Sequence, residues 1–179
     1  MGSGSGVSNP SVMNSLLTGE QQALYQKSDV IQKILYHSRT IAIVGLSTER
    51  QKASYFVATY LRSAGYRVIP VNPRAETILG ERCYPNLASI PEPVDLVDIF
   101  RPAADCLPIV EDAIACQAKA VWLQLKIVNQ EAAERARQAG LLTVMDLCVK
   151  MEHGRYSGGL HEAGMNTGII SARRVHRYI

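Results

Sequence analysis

The sequence predicts an α/β fold of the doubly wound type, with a mainly parallel sheet of about five strands and helices on both faces. Short apolar runs rich in Val and Ile alternate along the chain with longer stretches that have apolar residues at helical spacing. The short runs are apolar on both faces, which is typical of strands covered by helices on both sides of a parallel sheet. Glycines close several of the helical stretches, for example Gly65 and Gly140.

The elements follow in a regular order after a polar N-terminal segment. Ser28 is a good N-cap, and Ile31, Ile34 and Leu35 then predict a helix that ends near His37. Strands are predicted at residues 40–44, 66–71, 95–100, 120–123 and 142–145, with a possible short strand near 82–84. Further helices are predicted at residues 54–64, 108–116 and 130–139, and the segment from Met151 has no strong periodicity.

Length and composition fit one domain with extensions at both ends. The chain has 179 residues, 47% of them hydrophobic and 20% charged, which is ordinary for a globular protein. We divide it into a flexible leader at 1–27 with a possible short helix at 16–26, a domain at 28–155 and a Gly/Arg-rich tail at 156–179.

Charge, cysteine usage and hydropathy limit the classes of function. A net charge of +3 is too small to indicate nucleic-acid binding by itself. The cysteines have no CxxC spacing, so we expect reduced thiols rather than a zinc site or a disulfide framework. No apolar run is long enough to span a membrane, and the first residues lack the features of a signal peptide. We therefore expect a cytoplasmic protein with no membrane association.

The loop after the first strand has the features of a phosphate-binding loop. Ligands of doubly wound sheets bind beyond the carboxyl ends of the strands. Gly45 allows a sharp turn, and the loop at 45–55 leads into a helix N-terminus, which attracts phosphate through its free amides and dipole. Ser47, Lys52 and Ser54 add two hydroxyl groups and a positive charge, so the loop suits a pyrophosphate.

The residues after the second strand distinguish between the possible nucleotide ligands. The first loop lacks the GxGxxG pattern of NAD sites, and the second strand is followed by Asn72-Pro73-Arg74 with no acid for a ribose diol. Arg74 suits a ribose phosphate, such as the one in coenzyme A or NADP, or is a solvated loop arginine. Plain NAD is disfavoured.

The residues at the remaining strand ends allow two interpretations each. Either Phe100 lines a ligand and Arg101 meets a phosphate, or Phe100 caps the core and Arg101 lies on the surface. Gln124 and Lys126 bring an amide and an ammonium to the same edge, whereas Trp122 is predicted to be a core residue.

Evidence for catalysis is sparse. GxSxG, HExxH and P-loop motifs are absent, and the histidines near the C-terminus lack metal-ligand spacing, so we assign no catalytic residue and no metal. Asp146 and Cys148 form a reactive pair, or Cys148 is a buried structural thiol.

Taken in order, these strand-end motifs resemble those of the small CoA-binding proteins, a family related to the N-terminal domain of succinyl-CoA synthetase α subunits. The resemblance spans about residues 30–155. It rests on Gly45-Leu-Ser, Ser54-Tyr, Gly65-Tyr-Arg-Val-Ile-Pro-Val-Asn-Pro, Asp95-Leu-Val-Asp-Ile-Phe-Arg, Val121-Trp-Leu-Gln and Val144-Met-Asp through Glu152-His.

The resemblance implies a Rossmann-like fold with CoA lying across the strand ends. The loop at 45–55 would meet the phosphates, and the following strand ends would line the adenosine and the pantetheine arm. The implied contacts are Gly45, Leu46, Ser47, Lys52, Ser54, Tyr55, Asn72, Pro73, Arg74, Phe100, Arg101, Gln124 and Lys126.

The chain departs from the family pattern at three places. Lys126 stands where glycine is usual, and Leu147 stands where a basic residue is usual. Lys126 would block part of the pocket, need a left-handed backbone, or replace the cation missing at 147. Lys52 and Ala53 stand where Arg-Pro is common, which keeps the charge but loses the bidentate fork.

Three functions compete at this point. The first is a module that binds CoA or an acyl-CoA as a sensor, carrier or regulator, as a monomer or a homo-oligomer with an unknown protein partner. The alternative is an NADP-dependent oxidoreductase or an acyl-CoA-handling enzyme. A third is nucleic-acid binding through the tail, although four such residues at a chain end usually form a solvated tail. The tail residues concerned are Arg173, Arg174, His176 and Arg177.

Overall fold

A computed structural model describes residues 15–157 of the chain. Its centre is a five-stranded sheet in which every neighbouring pair of strands is parallel. In chain order the strands are β1 (Thr40–Val44), β2 (Arg67–Val71), β5 (Leu96–Ile99), β6 (Ala120–Leu123) and β7 (Leu142–Met145). A short antiparallel hairpin, β3 (Thr77–Ile78) and β4 (Glu81–Arg82), joins the edge of β2 through a bridge between Val71 and Tyr84.

Six α-helices cover the two faces of this sheet in the described part of the chain. The buried side chains of α2, α3 and α6 pack in one core cluster, and those of α1, α4 and α5 pack in the other. The helices are α1 (Gly19–Tyr25), α2 (Ser28–His37), α3 (Ala53–Ser63), α4 (Cys106–Ala115), α5 (Gln130–Gln138) and α6 (Val149–Ser157). The doubly wound α/β fold predicted from the sequence is confirmed.

The strand order is β2-β1-β5-β6-β7. From β1 the chain moves outward to β2, and it then returns to the other side of β1 to place β5. The order therefore reverses between β1 and β5, where Val44 pairs with Ile99. At such a reversal the loops leave in opposite directions and open a crevice at the carboxyl edge of the sheet.

Most predicted elements are found within a few residues of their expected ends. β1, β6 and β7 have the predicted bounds, and α1 lies inside the short helix predicted at 16–26. Strand β3, which pairs with β4, had no counterpart in the prediction, and neither had α6, which occupies residues that showed no helical periodicity. Of the tail predicted at 156–179, the first two residues end α6 and the rest, 158–179, lies outside the described residues.

The core explains two of the sequence assignments. Trp122 is fully buried, as predicted, and its indole Nε1 donates a hydrogen bond of 2.7 Å to the carbonyl oxygen of Leu147. Leu147 itself packs in the cluster with α2, α3 and α6, so this position, where the resemblance predicts a basic residue, is a core position here. Between residues 15 and 157 no helix is long and apolar enough to cross a membrane.

Candidate functional site

The crevice between β1 and β5 is built on Gly45. Its φ is +87°, and a Cβ added there would lie 2.6 Å from the carbonyl oxygen of Phe100. The Gly45 amide donates to the carbonyl oxygen of Val71 at 3.0 Å, while the Phe100 amide donates to that of Val44 at 2.9 Å. Glycine is required because any side chain would separate the ends of β1 and β5.

The loop after Gly45 is held by its own hydroxyl groups. Ser54 is buried, and its Oγ accepts a hydrogen bond of 3.0 Å from the Ser47 amide. The Ser47 Oγ accepts one of 3.1 Å from the Glu49 amide. As acceptors in these bonds, both hydroxyls keep their own hydrogens for a further partner. No side chain caps α3 at its N-cap residue, the exposed Lys52, so the amides of the first turn are open to a ligand.

The end of β2 is tied to the same loop by Asn72. Its Nδ2 donates to the carbonyl oxygen of Leu46 at 2.9 Å, and its Oδ1 accepts from the Arg74 amide at 2.8 Å. Leu46 is fully buried, whereas Pro73 and Arg74 are exposed. Asn72 therefore ties the loop that carries Arg74 to the loop at 45–55.

The end of β5 presents Phe100 and Arg101. Phe100 is half-buried, and a guanidinium nitrogen of the exposed Arg101 lies 2.8 Å from a carboxylate oxygen of Asp105. An exposed pair of this kind contributes about 0–1 kcal/mol, so Arg101 can exchange Asp105 for a ligand at low cost.

The end of β6 contains a buried polar pair that the sequence prediction did not identify. Gln124 is 3% exposed, and its Nε2 donates a hydrogen bond of 2.7 Å to Oδ1 of the fully buried Asp98 on β5. Burial raises the pKa of Asp98 to about 8, although the hydrogen bond from Gln124 acts to lower it. Asp98 is therefore mostly protonated at neutral pH.

Asp146, after β7, organises the adjoining loops. Its carboxylate accepts hydrogen bonds from the Lys126 amide at 2.6 Å, the Ser15 hydroxyl at 2.9 Å and the Leu16 amide at 2.5 Å. Lys126 is exposed and has a φ of +67°, so the left-handed backbone considered for it is present. The sequence feature that could have predicted this role of Asp146 is an acidic residue directly after a strand, beside a loop that needs left-handed backbone.

Cys148 lies between β7 and α6 and is partly exposed. Burial raises the pKa of its thiol, while hydrogen bonds from the Met151 and Lys150 amides act in the opposite direction. Asp98, when ionised, also acts to raise this pKa.

The predicted residues thus fall into two groups. The loop at 45–55, Asn72, Phe100 and Arg101 meet at the crevice between β1 and β5, with Arg74 at its rim beside Asn72. Gln124 and Lys126 lie farther along the same edge, at the end of β6. In residues 15–157 no group of three or more His, Cys, Asp or Glu side chains could hold a metal ion.

A family model described as "CoA binding domain" matches residues 39–154, which include all of these strand ends. The chain belongs to the CoA-binding domain family. This confirms the family resemblance drawn from the strand-end motifs.

Known relatives include small proteins and much longer enzymes. The uncharacterized protein YneT of Bacillus subtilis is 36% identical over 123 residues, which are 69% of this chain and 91% of YneT. An ADP-forming acetate–CoA ligase of Archaeoglobus fulgidus is 29% identical over 127 residues, which cover 65% of this chain and only 18% of the ligase.

Solved structures of the family share the fold. A hypothetical protein from Pyrococcus horikoshii is 39% identical, with a TM-score of 0.72 over 74% of this chain and 93% of that one. A dinucleotide-forming acetyl-coenzyme A synthetase from Ca. Korarchaeum cryptofilum, in complex with phosphate and ADP, is 26% identical, with a TM-score of 0.56 over 64% of this chain and 26% of the synthetase.

Proposed function

We propose that this protein binds coenzyme A across the carboxyl edge of its sheet, as a sensor, carrier or regulatory module. The observation that carries the proposal is the close approach of Gly45 to the Phe100 carbonyl at the strand-order reversal, which brings the end of β5 beside the loop that leads into the uncapped first turn of α3. Membership of the CoA-binding domain family supports it, as does the similarity to ligases whose names include CoA.

The pyrophosphate would lie on the loop at 45–55. The uncapped first turn of α3 offers amide hydrogens and the positive end of the helix dipole. Ser47 and Ser54 have hydroxyl hydrogens left to donate. Lys52, at the N-cap, would add the charge of an exposed ammonium group.

The ribose 3′-phosphate would lie against Arg74. This side chain is exposed and makes no ion pair with any residue between 15 and 157, while its backbone is held by Asn72. A guanidinium on a fixed loop suits a phosphate because it can donate two parallel hydrogen bonds. The absence of an acid at this strand end argues against the free ribose diol of NAD.

The pantetheine arm would continue along the edge towards β6 and β7. Phe100 and Arg101 would line its first part, and Gln124 and Lys126 would lie near its thiol end. The arm would thus cross from the reversal point to the loops organised by Asp146.

The test is a comparison of four ligands by thermal shift and calorimetry: CoA, dephospho-CoA, NADP and NAD. At 100 times its Kd a ligand stabilises the native state by about 2.7 kcal/mol, which is a shift of several degrees in Tm. We expect the largest shift with CoA, a smaller one with dephospho-CoA and none with NAD. A shift with NADP or NAD and none with CoA would contradict the proposal and favour an oxidoreductase.

A further inference from the structure

The segment at 15–18 is fastened to the carboxyl end of β7. The Ser15 hydroxyl and the Leu16 amide donate hydrogen bonds of 2.9 Å and 2.5 Å to Oδ2 of Asp146. The Leu17 amide donates to the Ser15 hydroxyl at 3.2 Å, and the Leu17 side chain is buried in the core cluster with α1, α4 and α5. Leu16 is therefore held between two anchored neighbours, although its own side chain is 61% exposed.

A second exposed leucine is joined to Leu16 through the same carboxylate. The Lys126 amide donates a hydrogen bond of 2.6 Å to Oδ1 of Asp146, while the Leu16 amide is bonded to Oδ2. Leu125, directly before Lys126, is 41% exposed. Asp146 therefore holds the two leucine-bearing loops together at the ends of β6 and β7. We name Leu16 and Leu125 the leucine pair.

The other large apolar side chains that are exposed between residues 15 and 157 have different surroundings. Tyr36 is in the last turn of α2, which leads to the amino end of β1. Phe56 and Met151 are in the first turns of α3 and α6, where the ammonium group of Lys150 lies 4.2 Å from the centre of the Phe56 ring. A single exposed apolar residue is ordinary, but two on loops fixed by one carboxylate form a preorganised apolar surface.

The carboxylate that joins the leucine pair is not available to a ligand. Asp146 is fully buried. Its Oδ1 is bonded to Lys126, and its Oδ2 is bonded to Ser15 and Leu16. The leucine pair therefore offers aliphatic surface, which is removed from water when an apolar group covers it. The exposed Lys126 follows the pair in the chain, and its ammonium group would favour an acidic group instead.

We infer that the leucine pair contacts the acyl group of an acyl-CoA, and that this group is apolar and several carbons long. The inference rests on the proposed function, in which the thiol end of CoA would lie near Gln124 and Lys126, the residues on either side of Leu125. The acyl group is bonded to that sulfur and would reach the leucine pair next. The segment at 15–18 lies outside the range 39–154 that the family model matches, so part of this contact would come from outside the family domain.

The experiment measures the Kd of acetyl-CoA, hexanoyl-CoA and succinyl-CoA for the full chain by isothermal titration. Burial of one methylene group tightens binding by up to about fourfold, so hexanoyl-CoA should bind at least about tenfold more tightly than acetyl-CoA. The double substitution Leu16→Ser and Leu125→Ser should reduce this ratio to below about threefold, and Leu16→Ser alone should give an intermediate ratio. The matched control is Tyr36→Ser, which also removes an exposed apolar side chain and should keep the ratio of the wild type.

Thermal shift with free CoA on the same samples separates this inference from the proposed function. If CoA stabilises the protein but acetyl-CoA and hexanoyl-CoA bind equally, the inference is overturned and the proposed function stands. Tightest binding of succinyl-CoA also overturns it and would assign the acyl contact to Lys126. A ratio unchanged by the double substitution overturns it as well, and a change in oligomeric state by light scattering would then make the leucine pair an interface between copies. If neither CoA nor any thioester binds, both fail.

Discussion

Lys126 and Asp146 hold left-handed backbone at the ends of neighbouring strands, with φ values of +67° and +59°. The carboxylate of Asp146 accepts a hydrogen bond from the backbone amide of Lys126, so the loop after β6 and the loop after β7 hold each other in place. A non-glycine residue in this region costs about 1–2 kcal/mol. The loop therefore has a lysine at a strained position. We interpret the positive charge of Lys126 as a replacement for the basic residue that the resemblance predicts at position 147, where this chain has Leu147.

Lys126→Gly tests that interpretation. We expect the variant to be about 1 kcal/mol more stable to unfolding because the strain is relieved. It should bind CoA more weakly and with less dependence on salt, because one cation is lost. The control is Gln117→Gly, which has a φ of +58° after α4 and should gain stability without any change in CoA binding. Tighter binding of CoA by Lys126→Gly at both low and high salt would instead mean that the lysine obstructs the pocket.

Arg74 carries the discrimination between CoA and its dephosphorylated form. Arg74→Ala should weaken binding of CoA by about 1.5–3 kcal/mol, the value of a charge-assisted contact, and leave binding of dephospho-CoA nearly unchanged. Isothermal titration of both ligands measures the difference. Arg137→Ala, on α5 and away from the carboxyl edge, is the control for loss of one positive charge. Equal losses for the two ligands would place Arg74 away from the ribose phosphate.

Among the elements, Gly45 determines how closely β1 and β5 approach. Gly45→Ala should destabilise the protein for two reasons: left-handed strain and overlap of the new Cβ with the Phe100 carbonyl. Gly65→Ala is a matched control, because its φ of +97° imposes similar strain but nothing lies within 4 Å of the added Cβ. The excess loss in Gly45→Ala, of about 1–3 kcal/mol for overpacking, measures the contact alone. Urea unfolding measures the loss of stability in both variants. Equal losses would mean that the ends of β1 and β5 are not closely packed at Gly45.

The elements also differ in how far the sequence determines them. Strands β1, β6 and β7 were predicted to the residue because each is a short apolar run buried on both faces. The hairpin strands have two residues each, which is too short for any periodicity. Helix α6 was not predicted because polar side chains, rather than an apolar stripe, face the interior. Glu152 is buried, and His153 Nδ1 lies 2.9 Å from the Tyr60 hydroxyl.

At the scale of the whole molecule, the site depends on strand order. The strand ends and the residues that follow them could be predicted from the sequence. Because the strands are parallel, the loops that follow them lie at one edge of the sheet. It could not give the order β2-β1-β5-β6-β7, which is set by packing between distant segments. For the same reason it could not pair Asp98 with Gln124, or Asp146 with Ser15 and Lys126.

The buried carboxyl of Asp98 also couples the stability of the whole fold to pH. Burial raises its pKa to about 8 in the native state, whereas an unfolded chain has a value of about 3.9. Between these values the native state holds a proton that the unfolded state has released. The free energy of unfolding therefore falls as pH rises from about 4 to about 8, by up to about 1.4 kcal/mol per pH unit from this group.

Asp98→Asn removes this dependence because the amide has a similar shape and does not titrate. We expect the stability of the variant relative to wild type to increase steadily from pH 5 to pH 8, as measured by urea unfolding at each pH. The exposed Asp112→Asn on α4 controls for the loss of one carboxylate. Parallel curves for wild type and Asp98→Asn would mean that Asp98 is ionised in the native state throughout this range. Its Oδ2, which has no hydrogen-bond partner among residues 15–157, would then need a cation as its partner, because an uncompensated buried carboxylate costs several kcal/mol.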